Sequence, residues 1–95
     1  MDVFNFSKQT IADTNVKVFT VPSGVSYYIK NVTISGQNTG GDIKVSYSTG
    51  LEINLTVSPK NAISMDDERC LPSGGSISIE SSYDGIVVEV NGLIV

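Results

Sequence analysis

Apolar and polar positions alternate with a period of two along most of this chain, and turn residues break the alternation at short intervals. Ile43, Val45 and Tyr47 alternate with Lys44, Ser46 and Ser48, and Leu51, Ile53, Leu55 and Val57 alternate with Glu52, Asn54 and Thr56. Successive side chains of a strand point to opposite faces, so each run sets one row against a core and the other in water. Thr49-Gly50 between the two runs suits a hairpin. Ile77 and Ile79 against Ser76, Ser78 and Glu80 repeat the pattern, and Asp84-Gly85 supplies a tight turn into Ile86, Val88 and Val90. No segment carries a helical period.

The other predicted strands are less regular. Residues 16–21 and 27–35 are rich in β-branched and aromatic side chains, and the alternation of the second slips near Lys30-Asn31, where a bulge would let the facing change. Residues 62–65 form a short strand after the turn Ser58-Pro59-Lys60-Asn61. Residues 93–95 either continue the Ile86 strand past a kink at Gly92 or form a terminal edge. Two corners resemble each other: Val21-Pro22-Ser23-Gly24 and Leu71-Pro72-Ser73-Gly74 each place a proline to preset a turn and a glycine to close it before a strand. Two similar turns feeding two strands account for this without a duplicated half.

Seven to nine short strands are the load of a two-sheet sandwich. The predicted fold class is therefore all-β, a single-domain antiparallel β-sandwich, jelly-roll-like, with an immunoglobulin-like sandwich as the alternative. Strand order is not visible in periodicity. Residues 1–15 are set apart as an N-terminal arm or edge strand, and residues 16–95 as the sandwich domain.

Composition narrows the chemistry. Ninety-five residues allow one core. For that size, surface scaling predicts roughly 5,300 Å² of folded surface. Six basic against ten acidic residues give a net charge of −4 with no basic cluster, so binding to a phosphate backbone is not expected. The chain has no histidine and no tryptophan, and Cys70 is its single cysteine. That excludes an internal disulfide, a Cys/His zinc site and every histidine-dependent triad within it. Cys70 is expected to be a small buried hydrophobe. No apolar run has the length of a membrane span, and Met1-Asp2-Val3-Phe4-Asn5-Phe6 lacks the basic start of a signal peptide. Without export, the sequons at Asn5, Asn31 and Asn54 carry no weight.

Carboxylates are the remaining chemical resource. Asp66-Asp67-Glu68 is the only run of acids, and three consecutive acids on an extended chain cannot all reach one ion, so it is predicted to be a solvated loop. Glu52, Glu80 and Glu89 occupy polar phases of strands, where a charge ordinarily faces water. No catalytic, cofactor-binding or metal-binding residue is assigned, and no enzymatic activity is expected. Four tyrosines and no tryptophan leave little for stacking sugar rings.

A resemblance gives these features a setting. Phe19-Thr20-Val21-Pro22-Ser23-Gly24, followed by Ile29-Lys30-Asn31-Val32-Thr33-Ile34-Ser35 and an Asn/Gly loop, resembles the opening of small tailed-phage virion proteins. Leu71-Pro72-Ser73-Gly74-Gly75-Ser76-Ile77-Ser78-Ile79-Glu80, leading to Val87-Val88-Glu89-Val90-Asn91-Gly92, is similar to their closing half. The resemblance covers about residues 16–95 and is one of strand punctuation. It implies an auxiliary capsid (head decoration) protein that docks on a phage capsid lattice and stabilises it, or a tail or fibre component. The implied partners are the major capsid protein or another virion protein, with self-association into a homo-oligomer, no nucleic acid and no membrane. The implied location is the virion, after synthesis in a host cytoplasm. The alternative is a receptor- or glycan-binding module of a tail, fibre or cell surface.

Val3, Phe4 and Phe6 are the candidate partner-binding residues. Phenylalanines so near a terminus require cover. They can close an edge of their own sandwich, dock on a neighbour as an added strand, or belong to a mobile tail.

Overall fold

The computed structural model describes residues 2–95. Among these residues are eight strands: β1 (Asp2–Gln9), β2 (Thr14–Thr20), β3 (Tyr27–Ser35), β4 (Gly41–Tyr47), β5 (Glu52–Val57), β6 (Ala62–Leu71), β7 (Ser76–Ser81) and β8 (Val87–Ile94). No helix occurs among the described residues. The strands form two four-stranded antiparallel sheets, ordered β1-β8-β3-β6 and β2-β7-β4-β5. The domain is an all-β, two-sheet antiparallel sandwich.

The pairing is nested. β4 pairs with β5, β3 with β6, β2 with β7 and β1 with β8, so each pair encloses the previous one along the chain. β3 with β8 and β4 with β7 then join these ribbons into sheets. One consequence is that Asp2 lies opposite Ile94, which sets the two ends of the chain side by side.

Between the sheets lies a core of β-branched and aromatic side chains. Ile29, Val32, Ile34, Val88 and Val90 from one sheet meet Val45, Ile77 and Ile79 from the other, and all are sealed from solvent. The alternation that predicted the strands is the alternation of burial, seen most cleanly along β4 and β7. Two bulges adjust it where the sequence slips. Between Ile29 and Asn31, two steps along β3 match three along β6 and one along β8, and the inward row passes from Ile29 to Val32. A second irregularity, between Lys17 and Phe19, turns both Val18 and Phe19 into the core.

Two expectations need correction. The strand predicted over 62–65 continues as β6 to Leu71, so Asp66-Asp67-Glu68 is strand and not loop. β6 is an edge strand, and edges tolerate charged positions that a central strand could not bury. Cys70 is exposed rather than buried, because it stands on the outward phase of β6, next to the inward Leu71. Of the two readings of residues 93–95, continuation holds: β8 runs through Gly92 to Ile94.

The two Pro-Ser-Gly corners lie side by side. Val21 N donates to Gly75 O at 2.8 Å, and Gly74 N donates to Val21 O at 2.9 Å. Gly24 and Gly74 both hold left-handed φ, +85° and +83°, which a side chain would oppose.

Candidate partner-binding site

β1 forms an outer edge of its sheet and is hydrogen-bonded along its whole length to β8 alone. Its inward phase carries Phe4 and Phe6. The Phe4 ring stacks on Tyr27 with centroids 4.4 Å apart and meets Phe19 edge-on at 5.7 Å, while Phe6 lies 5.3 Å from Phe19. Such contacts add about 0.5–1.5 kcal/mol each to simple burial. Gly92 stands directly opposite Phe4 in the register. A Cβ there would collide with the Tyr28 carbonyl and come within 2.8 Å of Phe4 Cε2, so the bare backbone of Gly92 is the floor of the Phe4 socket. Phe4 is buried, Phe6 half-buried, and Val3, on the outward phase, is 74% exposed.

The outward row that begins at Val3 crosses the whole sheet. Val3 pairs with Leu93, Leu93 with Tyr28, and Tyr28 with Cys70. These are the least polar outward positions of that face. The next row is Asn5, Asn91, Asn31 and Asp66, and the one beyond it Ser7, Glu89, Thr33 and Ser64. Asn31 Nδ2 donates to Ser64 Oγ at 2.9 Å and Thr33 Oγ1 donates to Asn31 Oδ1 at 2.7 Å, so part of this polar surface is fixed.

On the other open side, Tyr47 of β4 donates its phenol hydrogen bond to Asp67 of β6, linking the two sheets. Arg69 Nε approaches Asp67 Oδ1 at 3.0 Å, and its guanidinium lies 5.9 Å from the centre of the Tyr47 ring. Burial first, and then the hydrogen bond and charge of Asp67, push the Tyr47 phenol well above its ordinary pKa, with Arg69 opposing. This latch was not foreseen. Tyr47 was expected in the core, but the partner of its hydroxyl depends on which strand closes the facing sheet.

The scattered carboxylates do not converge. Glu52 and Glu80 stand on the outer face of one sheet, and Glu89 on that of the other. Glu80 is paired across the ladder with Lys44, which is in turn paired with Asn54. With Asp42 and Thr56, these side chains line a depression of about 450 Å³. Thr56 Oγ1 donates to Asp42 Oδ1 at 2.7 Å. Among the described residues, no group of three or more His, Cys, Asp or Glu side chains is arranged to hold a metal ion, and no helix is long and apolar enough to cross a membrane. No protein-family model matches the chain, and no curated protein matches it in sequence.

Proposed function

We propose that this chain is a jelly-roll protein of a tailed-phage virion, a non-enzymatic auxiliary capsid protein that docks on the capsid lattice and reinforces it. The observation that carries the reading is the nested pairing of eight strands. A chain doubled on itself in this way across two sheets supports a jelly-roll reading, an arrangement common in viral capsid and lectin domains. An immunoglobulin-like sandwich places its strands in the orders ABED and CFG, without that enclosure of each pair by the next. The composition supports a structural role: an acidic, Ser/Thr/Asn-rich chain without histidine has its shape, edges and loops to work with. The partner is the major capsid protein or another virion protein, and the chain acts in the virion after synthesis in a host cytoplasm.

The test is to add the purified chain to capsids assembled without it. Cosedimentation at a stoichiometry fixed by the lattice, with a rise in capsid melting temperature, is the expected result; failure to sediment with any virion component contradicts it. The depression lined by Asp42, Lys44, Asn54, Thr56 and Glu80 favours a second reading, a glycan-binding module, since it gathers donors and acceptors suited to hydroxyl groups. A glycan array, with Asn54→Ala as the control, separates the two.

A further inference from the structure

The N-terminal strand and its seat form a nearly self-contained lock and key. Beyond β1, the seated segment extends by one residue. Thr10 N donates to Ile86 O at 2.9 Å, Thr10 Oγ1 donates to Tyr83 O at 2.7 Å and accepts from Ile86 N at 3.0 Å, and Gly85 N donates to Thr10 O at 2.9 Å. Every backbone partner of the segment from Asp2 to Thr10 in these bonds therefore lies within residues 83–94. Its two rings are received by Gly92, Tyr27 and Phe19.

The connection that follows is of poorer quality than what it connects. Ile11 leaves its side chain 56% exposed, and Asp13 adopts φ +56°, a left-handed conformation that Asp enters more readily than most residues with a Cβ but that still favours glycine. Only Ile11, Ala12 and Asp13 separate the seated segment from β2. Extending them would release Asp13 from that conformation and let the Ile11 side chains of two crossing connections cover each other. The contacts given up are the Asp13 N to Ser81 O bond of 2.8 Å, the Thr14 N to Ile11 O bond of 3.1 Å, the Thr14 Oγ1 to Ala12 O bond of 3.1 Å and the Ala12 N to Asp84 Oδ1 bond of 2.7 Å. All contacts of the segment itself are the same whichever copy supplies it. A tight seat with a strained, short connection favours exchange between chains at high protein concentration.

We propose that β1 is an exchangeable strand: residues 2–10 of one copy occupy the place beside β8 of a second copy, and reciprocally, giving a two-fold symmetric dimer. The occupant is a second copy of this chain, because the closed form already displays the complementarity. The inference stands apart from any role in a capsid.

Ser7 and Glu89 face each other outward across β1 and β8, which supplies the test. Two full-length chains, both carrying Cys70→Ser, receive Ser7→Cys in one and Glu89→Cys in the other. They are mixed at high concentration, held just below the melting temperature, cooled and oxidised. Exchange gives a mixed disulfide several-fold more abundant than that from a control pairing Ser7→Cys with Lys17→Cys, a position on the other sheet. Adding Asp13→Gly to both chains removes the strain of the closed connection and lowers the yield several-fold. Equal yields from the test and control pairs overturn the proposal, as does a yield unmoved by Asp13→Gly. A single chain carrying both Ser7→Cys and Glu89→Cys checks folding by forming its internal disulfide; if it does not fold, Asn5→Cys with Asn91→Cys, also opposite each other, replaces the pair.

Discussion

At Gly92 the lack of a side chain admits the Phe4 ring to the core, because the backbone of β8 must lie flush against both β3 and the ring. Gly92→Ala is therefore an overpacking change, with an expected cost of about 1–3 kcal/mol. In a domain of this size each kcal/mol lowers the melting temperature by about 4–8 °C, so a thermal melt resolves it. At the same scale, Tyr47 sets a pH dependence. Its phenol holds its proton more tightly folded than unfolded, so the folded state binds more protons once the unfolded chain begins to lose its own. The corresponding stability is fully present below about pH 10 and is lost as pH rises beyond it. Urea unfolding across that range will show the decline, and Tyr47→Phe will flatten it. At neutral pH the same substitution leaves Asp67 without its phenol donor, at a cost of about 1–3 kcal/mol.

At the scale of elements, the two Pro-Ser-Gly corners look alike in sequence and differ in work. Ser73 Oγ accepts from Gly24 N at 3.1 Å and lies 2.9 Å from Val25 O, so it ties the β6–β7 corner to the β2–β3 corner. Ser23 makes no such side-chain bond among the described residues. Ser73→Ala should cost about 1 kcal/mol by denaturant unfolding, and Ser23→Ala close to nothing. The strands were legible where one row is buried and the other wet, as in β4, β5 and β7, and the slip at Lys30-Asn31 marked a real bulge. The second half of β6 was not. Asp66, Asp67, Glu68 and Arg69 give no apolar alternation because that edge faces water on one side and reaches toward Tyr47 on the other. Cys70 was misplaced for the same reason: without the strand, its phase could not be assigned. The depression around Lys44 was invisible too, since it depends on which outward residues the register aligns.

Across the whole molecule, the accessible surface of 5069 Å² is close to the scaling value for a single folded chain of this mass. Little in the core is spare. Phe4, buried, and Phe6, half-buried, together contribute about 2–4 kcal/mol of burial, a substantial part of the roughly 5–15 kcal/mol that holds a domain together. Removal of residues 2–14 should therefore lower the melting temperature steeply; an unchanged melting curve would contradict the seating of β1 in this core. The outward row that begins at Val3 stays outside this core. The claim that joins fold to role is that this sandwich is a component of a capsid shell. Quantitative mass spectrometry of purified virions, with the chain counted against the major capsid protein, tests it most directly. The account predicts a fixed ratio set by the shell lattice; absence from the particle, or only the few copies of a tail tip, would contradict it.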